Sequence, residues 1–352
     1  MQNPFTISFG KKPEQYISRI RITQEITEMF NSERPSTQAY MVVGVRGAGK
    51  TVMLSNISKE IKEDVDWIVM ELNPTRDILE SFAAKLYALP EMNRLFIDAK
   101  LDLSLLGMGV TIEKGVKISD VEQAISSMME VIKKKKKRVL VTIDEVTINQ
   151  YVREFASAFQ IFIRSEYPLF LIMTGLYENI NSIQNDKSLT FLYRTPKVVL
   201  EALNISAITG TYKRVFKATE EDARYMAGLT KGYPFAFQVL GYLVWKHREK
   251  KAYIDYRSLC ETIMPEYDQM LQEYVYEKIW DELSVKERQV VEKLSGTEAM
   301  KVKDIRDSIG YDSNTFTVYR NRLIKKGIVE SVGYGMLSIT LPRFDVFVQG
   351  II

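Results

Sequence analysis

The sequence predicts an α/β protein: a parallel-sheet core, then an all-helical unit, then a small C-terminal module of helices and a hairpin. Three observations carry this. Apolar runs rich in β-branched residues recur at 40–43, 67–72, 139–143, 169–173 and 198–200, mostly separated by longer stretches of helical periodicity. That alternation suits parallel strands joined by crossover helices. After about Asn204 the strand pattern stops, and helical periodicity runs to about Leu283, broken at Gly232-Tyr233-Pro234. From Ser284 onward, helical segments at 285–294, 302–309 and 313–326 precede two strand-like stretches, 328–332 and 336–339, around Gly333-Tyr334-Gly335.

Composition narrows the chemistry. A chain of 352 residues with 46% hydrophobic content is long enough for two or three cores, and its net charge of +3 is nearly neutral for that size. Nucleic-acid binding must therefore rest on a local patch. No apolar run approaches the roughly 20 residues that span a bilayer, and the first residues lack a basic stretch leading into an apolar one; the expected location is cytoplasmic, without membrane association. With one cysteine, Cys260, and one histidine, His247, the chain can build neither a disulfide framework nor a Cys/His metal site. His247 sits among charged residues and reads as solvated surface. Any metal must be held by oxygen.

The sharpest motif follows the first strand. Gly44-Val45-Arg46-Gly47-Ala48-Gly49-Lys50-Thr51 opens a segment, Thr51 to Lys62, that carries Leu54, Ile57 and Ile61 at helical spacing. Strand, glycine-rich loop and helix are the context of a phosphate-binding P-loop. The glycines let backbone N–H groups turn inward around phosphates at a helix N-terminus, where the dipole also favours anions. Lys50 places a charge at the β- and γ-phosphates, Thr51 offers a hydroxyl to Mg²⁺, and Val52 continues the loop into the helix. A P-loop needs an acidic partner after a neighbouring buried strand, and 139–143 leads into Asp144-Glu145. Asp144 suits Mg²⁺ and Glu145 suits polarisation of the attacking water.

At these residues the chain resembles AAA+ ATPases, and more closely the bacterial and archaeal ATP-binding proteins related to the STAND and origin-recognition groups. Asn3-Pro4-Phe5 with Phe9-Gly10 is similar to their opening; Gly232-Tyr233-Pro234 is similar to the helical-lid motif that approaches the adenine; Val318-Tyr319-Arg320-Asn321-Arg322-Leu323-Ile324 resembles their terminal winged-helix segment. The resemblance implies a polar sensor after the fourth core strand, here Thr174, and an arginine beyond it, here Arg194, completing a neighbouring subunit's site in a homo-oligomer. It further implies adenine-side contacts from Arg19 and Pro234. The family commonly has Gly-Arg where this chain has Ser18-Arg19. The implied division is an ATPase core over 1–203 with a hairpin insertion at about 100–113, a helical lid over 204–283 and a winged helix-turn-helix over 284–352.

The third helix of a winged helix-turn-helix commonly enters the DNA major groove. Asn314, Thr315, Thr317, Arg320 and Arg322 are the candidate contacts to double-stranded DNA, while Phe316 and Leu323, seven apart, are expected to face inward. The run Lys133-Lys134-Lys135-Lys136-Lys137-Arg138 reads as a solvated helix end, and the aromatics Tyr233, Phe235, Phe237, Tyr242 and Trp245 as lid core. The expected function is an ATP-binding, Mg-dependent ATPase switch or motor acting on DNA. The alternative is a STAND-like signalling or defence NTPase, bound to ATP or ADP, whose winged helix contacts protein.

Overall fold

In the computed structural model, which describes residues 2–8, 13–102, 104–107, 116–118, 120–248 and 254–352, the apolar runs become β1 (Ala39–Val43), β2 (Trp67–Leu72), β5 (Arg138–Ile143), β6 (Leu169–Gly175) and β7 (Lys197–Val199). The short β3 (Leu101–Asp102) and β4 (Val116–Lys117) pair separately and in parallel. The five strands form one parallel sheet in the order β2-β5-β6-β1-β7. Helices cover both of its faces, so the strands read as near-continuous apolar runs rather than alternating ones. On one face Met41, Val141, Ile143, Leu171 and Met173 pack with Phe82, Phe155 and Phe159. On the other, Phe30 and Trp67 each lie 4.9 Å from the Phe170 ring.

The chain packs as two units: Arg19–Val43 with Lys50–Val199, and Met1–Ser18 with Gly44–Gly49 and Leu200–Ile352. In the first unit, the basic run divides: Lys133 to Lys136 are exposed, while the last two residues are engaged by backbone carbonyls. Lys137 donates to the Val65 carbonyl at 2.7 Å and Arg138 to the Phe30 carbonyl at 2.5 Å, while Lys133 and Lys134 end the helix Val121–Lys134. Much of the expected hairpin insertion, 108–113, lies outside the described residues. Of the described part, Ser104–Leu106 forms a single 3₁₀ turn.

In the second unit the opening segment is tied to the helix Pro234–His247. The Asn3 amide donates to the Tyr242 carbonyl at 3.1 Å, Gln238 donates to the Gln15 carbonyl at 2.6 Å, and Phe5 stacks on Phe216 and meets Phe237 edge-on. Phe9 and Gly10 lie outside the described residues. Tyr233 and Phe237 are buried, with Phe235, Tyr242 and Trp245 packed against the same core. His247 is exposed, as read from the sequence, with its ring 2.7 Å from a Glu266 carboxylate oxygen.

One core cluster continues from these helices into the C-terminal segment. There the helices Val285–Leu294, Val302–Ile309 and Ser313–Lys326 accompany a sheet ordered β8 (Met300–Lys301), β10 (Met336–Ile339), β9 (Val329–Ser331), and a last helix spans Phe344–Ile351. Phe316 and Leu323 are buried as expected from their spacing. Strand β8 and the last helix were not read from the sequence.

Ser284 and Glu287 form a reciprocal capping box at the first of these helices, and Glu287, 2% exposed, also pairs with Lys326 at 2.9 Å. Burial raises the carboxyl's pKa, but hydrogen bonds from Lys326 and from the Ser284 N–H and hydroxyl outweigh it, and the net shift is downward. A depressed folded-state pKa means that this stabilisation is complete above the ordinary glutamate value of 4.5 and is lost as pH falls through the lower one. Glu287→Gln should therefore cost about 3 kcal/mol at neutral pH, by leaving Lys326 unpaired, with the deficit shrinking in acid. Urea denaturation at neutral and acid pH checks this.

Candidate functional site

Parallel pairing brings the ends of β1, β5 and β6 to one edge of the sheet, the usual place for a ligand in an open α/β sheet. The register pairs Ile143 with Met173 and Val42 with Thr174, so Asp144, just past β5, falls beside Thr174. The Thr174 hydroxyl, fully buried, donates to Asp144 Oδ1. The Thr51 hydroxyl donates to the other oxygen, Oδ2, at 2.6 Å. One half-buried carboxylate thus joins the first turn of the helix Lys50–Lys62 to the end of β6. Lys50 is buried at the start of that helix.

Glu145 is exposed, and its backbone is held in the left-handed region at φ 51°. Its N–H donates to Asp144 Oδ1 at 3.0 Å and to Thr174 Oγ1 at 3.3 Å, while the next N–H, of Val146, donates to the Thr174 carbonyl at 2.8 Å. A groove of about 360 Å³ opens beside this cluster, lined among others by Thr51, Ser55, Lys59, Glu71, Thr142 and Asp144. Among the described residues no group of three or more His, Cys, Asp or Glu side chains is placed to hold a metal. A hydroxyl and a carboxylate 2.6 Å apart are hard oxygen donors of the kind Mg²⁺ takes while keeping several waters, so Thr51 and Asp144 fit that ion.

The loop before Lys50 packs in the other unit. Gly47 and Gly49 have φ of 72° and 86°, a backbone that side-chain-bearing residues rarely adopt. A side chain at Gly47 would also run into Tyr233 and Phe235. The Tyr233 hydroxyl donates to the Arg46 carbonyl, and burial pushes that hydroxyl's pKa far upward, so it stays a donor. The Arg46 guanidinium pairs with Glu282 at 2.6 Å. Val45 packs against the core of this unit, and Ala48 is buried.

The remaining candidates are placed less centrally. Arg19 is half-buried at the N-cap of the helix Ile20–Asn31, and Val52 is half-buried in the helix after the loop. Pro234 is half-buried at the first position of the helix Pro234–His247. Arg194 is exposed at the end of the 3₁₀ turn Thr190–Arg194, beside Tyr193, which is 71% exposed. Gln184, buried and not singled out in the sequence, donates to the carbonyls of Leu192 and Thr195 at 3.0 and 3.2 Å and so fixes this turn. The same turn follows Asp186, whose pKa is lowered to about 2 by the Ser188 hydroxyl and N–H and by Arg153.

On the helix Ser313–Lys326, Asn314, Thr317 and Arg322 are exposed. The Thr315 hydroxyl donates to the N-cap carboxylate of Asp312, and that of Thr317 donates to the Ser313 carbonyl at 2.7 Å. Arg320 is half-buried, with its Nε inside the protein. The Arg322 guanidinium and the Lys286 ammonium each lie 5.5 Å from the Tyr319 ring centre. Arg306 pairs with Asp307, and Lys326 with Glu287.

A domain of unknown function, DUF8462, matches residues 273–348. Comparison with curated protein sequences finds no match. Among solved structures, the ORC2 protein of Aeropyrum pernix, determined as ADPNP-ADP complexes, is similar at 12% identity, over 98% of this chain and 96% of that chain, with a TM-score of 0.58. The chain has an origin-recognition-like AAA+ fold. CDC6P of Pyrobaculum aerophilum is matched at 14% identity, over 98% and 95% of the two chains, with a TM-score of 0.44. A STAND protein with a tetratricopeptide repeat sensor from Pyrococcus horikoshii is matched at 17% identity, over 97% of this chain and 43% of that one, also with a TM-score of 0.44. In this AAA+ fold Asp144 and Thr174 stand at the ends of adjacent strands, as the register requires.

Thr174→Val keeps the volume but deletes a buried donor to Asp144, and should cost about 1–2 kcal/mol of stability. A double-mutant cycle with Asp144→Asn, read by chemical denaturation, should return a coupling of about 1 kcal/mol. Strict additivity would mean that the two side chains do not cooperate.

Proposed function

We propose that the protein binds ATP and hydrolyses it as a Mg-dependent AAA+ switch or motor, and that its C-terminal module, read as a winged helix, passes the change to duplex DNA. The observation that carries the ATPase reading is the Asp144 carboxylate bridging the Thr51 and Thr174 hydroxyls, with Glu145 next in the chain. Lys50 and the N–H groups of the loop Gly44–Gly49 bind the triphosphate; Arg19 and Pro234 flank the adenine. Thr51 and Asp144 would hold Mg²⁺, which when bound would supply positive charge to offset that of the phosphates. Glu145 orients and polarises the attacking water, while Thr174 keeps the Asp144 carboxylate turned toward Thr51. Arg194, exposed on its fixed turn, stabilises charge in the site of a neighbouring copy in a homo-oligomer. A cytoplasmic location belongs to the same reading; among the described residues no helix is long and apolar enough to cross a membrane.

The DNA reading rests on the exposed Asn314, Thr317 and Arg322 and on the cations Lys301 and Lys303. A specific observation favours the second reading, a STAND-like signalling or defence NTPase whose module contacts protein. Two cations of the module, Arg306 and Lys326, are neutralised by Asp307 and Glu287, and Arg320 is half-buried.

Lys50→Ala should abolish most binding of a fluorescent ATP analogue, since it deletes the loop's charge at the β- and γ-phosphates. Glu145→Gln should retain binding and slow turnover about 100-fold or more. Equal turnover in Glu145→Gln and wild type would remove Glu145 from the reaction.

Fluorescence anisotropy with labelled duplex DNA separates the two outputs. Under the DNA reading, affinity falls with salt at a log–log slope of about −0.9 per phosphate neutralised. Arg322→Ala should flatten this slope, and duplex DNA should stimulate turnover. Slow turnover, retained nucleotide and no DNA binding even at low salt would select the signalling reading.

A further inference from the structure

The loop Gly44–Gly49 is fastened by residues that lie far along the chain, within the unit that also holds the lid helices and the C-terminal module. Tyr233 donates to the Arg46 carbonyl, and its ring stacks on Tyr276, which in turn meets Phe344 and Phe347 of the last helix. Arg46 gives two N–H groups, Nε at 2.9 Å and Nη2 at 2.6 Å, to one oxygen of Glu282. A side chain at Gly327, which ends the helix Ser313–Lys326, would meet Val45. Glu282 itself stands between the helix Glu277–Asp281 and Ser284, the N-cap of the module's first helix, just beyond a turn of π-helix at Gln272–Tyr276. Such π turns are frequent at functional sites.

A guanidinium carried on a phosphate-binding loop has two anionic claimants here, the Glu282 carboxylate and the phosphates. It cannot give the same N–H groups to both. We propose that the Arg46–Glu282 pair is a latch between the phosphate loop and the junction of lid and C-terminal module, one that nucleotide phosphates open by drawing Arg46 away from Glu282. This rests on the reading that the loop binds ATP. Coupling of this kind is reciprocal. Whatever opens the latch tightens nucleotide binding, and nucleotide loosens the junction around Glu282. At about one-third exposure of both side chains the pair is a modest interaction, suited to being exchanged rather than to holding the fold together.

The test combines titration of a fluorescent ATP analogue with hydrogen exchange of the full-length protein. Glu282→Gln removes the competing carboxylate and should bind the analogue about two- to fivefold more tightly. In wild type, exchange over residues 277–287 should rise when the analogue binds, whereas in Glu282→Gln it should already be fast without it. In an Arg46→Gln background Glu282→Gln should bring no gain. Unchanged or weaker binding by Glu282→Gln overturns the latch, as does a gain that persists without Arg46, or exchange over 277–287 that ignores the nucleotide. The wild-type exchange measurement stands even if a variant folds poorly. Failure of wild type to bind the analogue at all would instead remove the ATP-binding reading, and the latch with it.

Discussion

The pairing of β5 with β6, in the register that sets Ile143 against Met173, is the constraint on which the candidate site depends. Asp144 needs a partner hydroxyl on one side and the Thr51 hydroxyl on the other, and parallel strands ending at one edge supply both positions. A slip of one residue would turn Thr174 to the opposite face of the sheet and leave the carboxylate without its buried donor. The helices on both faces enforce the register, because Val141, Ile143, Leu171 and Met173 can bury their side chains together only in this alignment. Packing of the apolar core therefore sets the polar geometry at its edge.

The elements that proved legible are those whose signal is local. The strand runs of the sheet were found to within one or two residues, since each is a short run rich in β-branched residues set off by longer helical stretches, even at the largely exposed β7. The helices 285–294, 302–309 and 313–326 were equally plain, with Gly310 and Gly327 ending the last two in left-handed backbone. Asp144 and Thr51 were legible through the motif, and Thr174 through the resemblance. The pairing of all three depends on a register that no single segment encodes.

What escaped the sequence was long-range or unpatterned. Strand β8 has two residues, too few for any periodicity, and forms because β10 offers it an edge. The last helix begins immediately after Leu341-Pro342-Arg343, where proline suggests a turn and not a helix start. Glu282 lies 236 residues from Arg46, and Gln184 reads as one more polar residue on a short helix until its burial against the turn Thr190–Arg194 is seen. The basic run 133–138 reads as a solvated helix end, and Lys133 to Lys136 are exposed there; what the composition does not show is that Lys137 and Arg138 donate to backbone carbonyls of the first unit.

The left-handed backbone of Glu145 carries a consequence for how this chain tolerates change. A side-chain-bearing residue in that conformation is disfavoured by about 1 kcal/mol or more, a strain that glycine does not feel and asparagine feels less. If Glu145 polarises the attacking water as proposed, stability and chemistry pull this one position in opposite directions. Populations of variants enriched only for heat resistance would drift toward glycine or asparagine at 145 and lose the carboxylate, whereas enrichment for the proposed turnover would hold the glutamate and accept the softer fold.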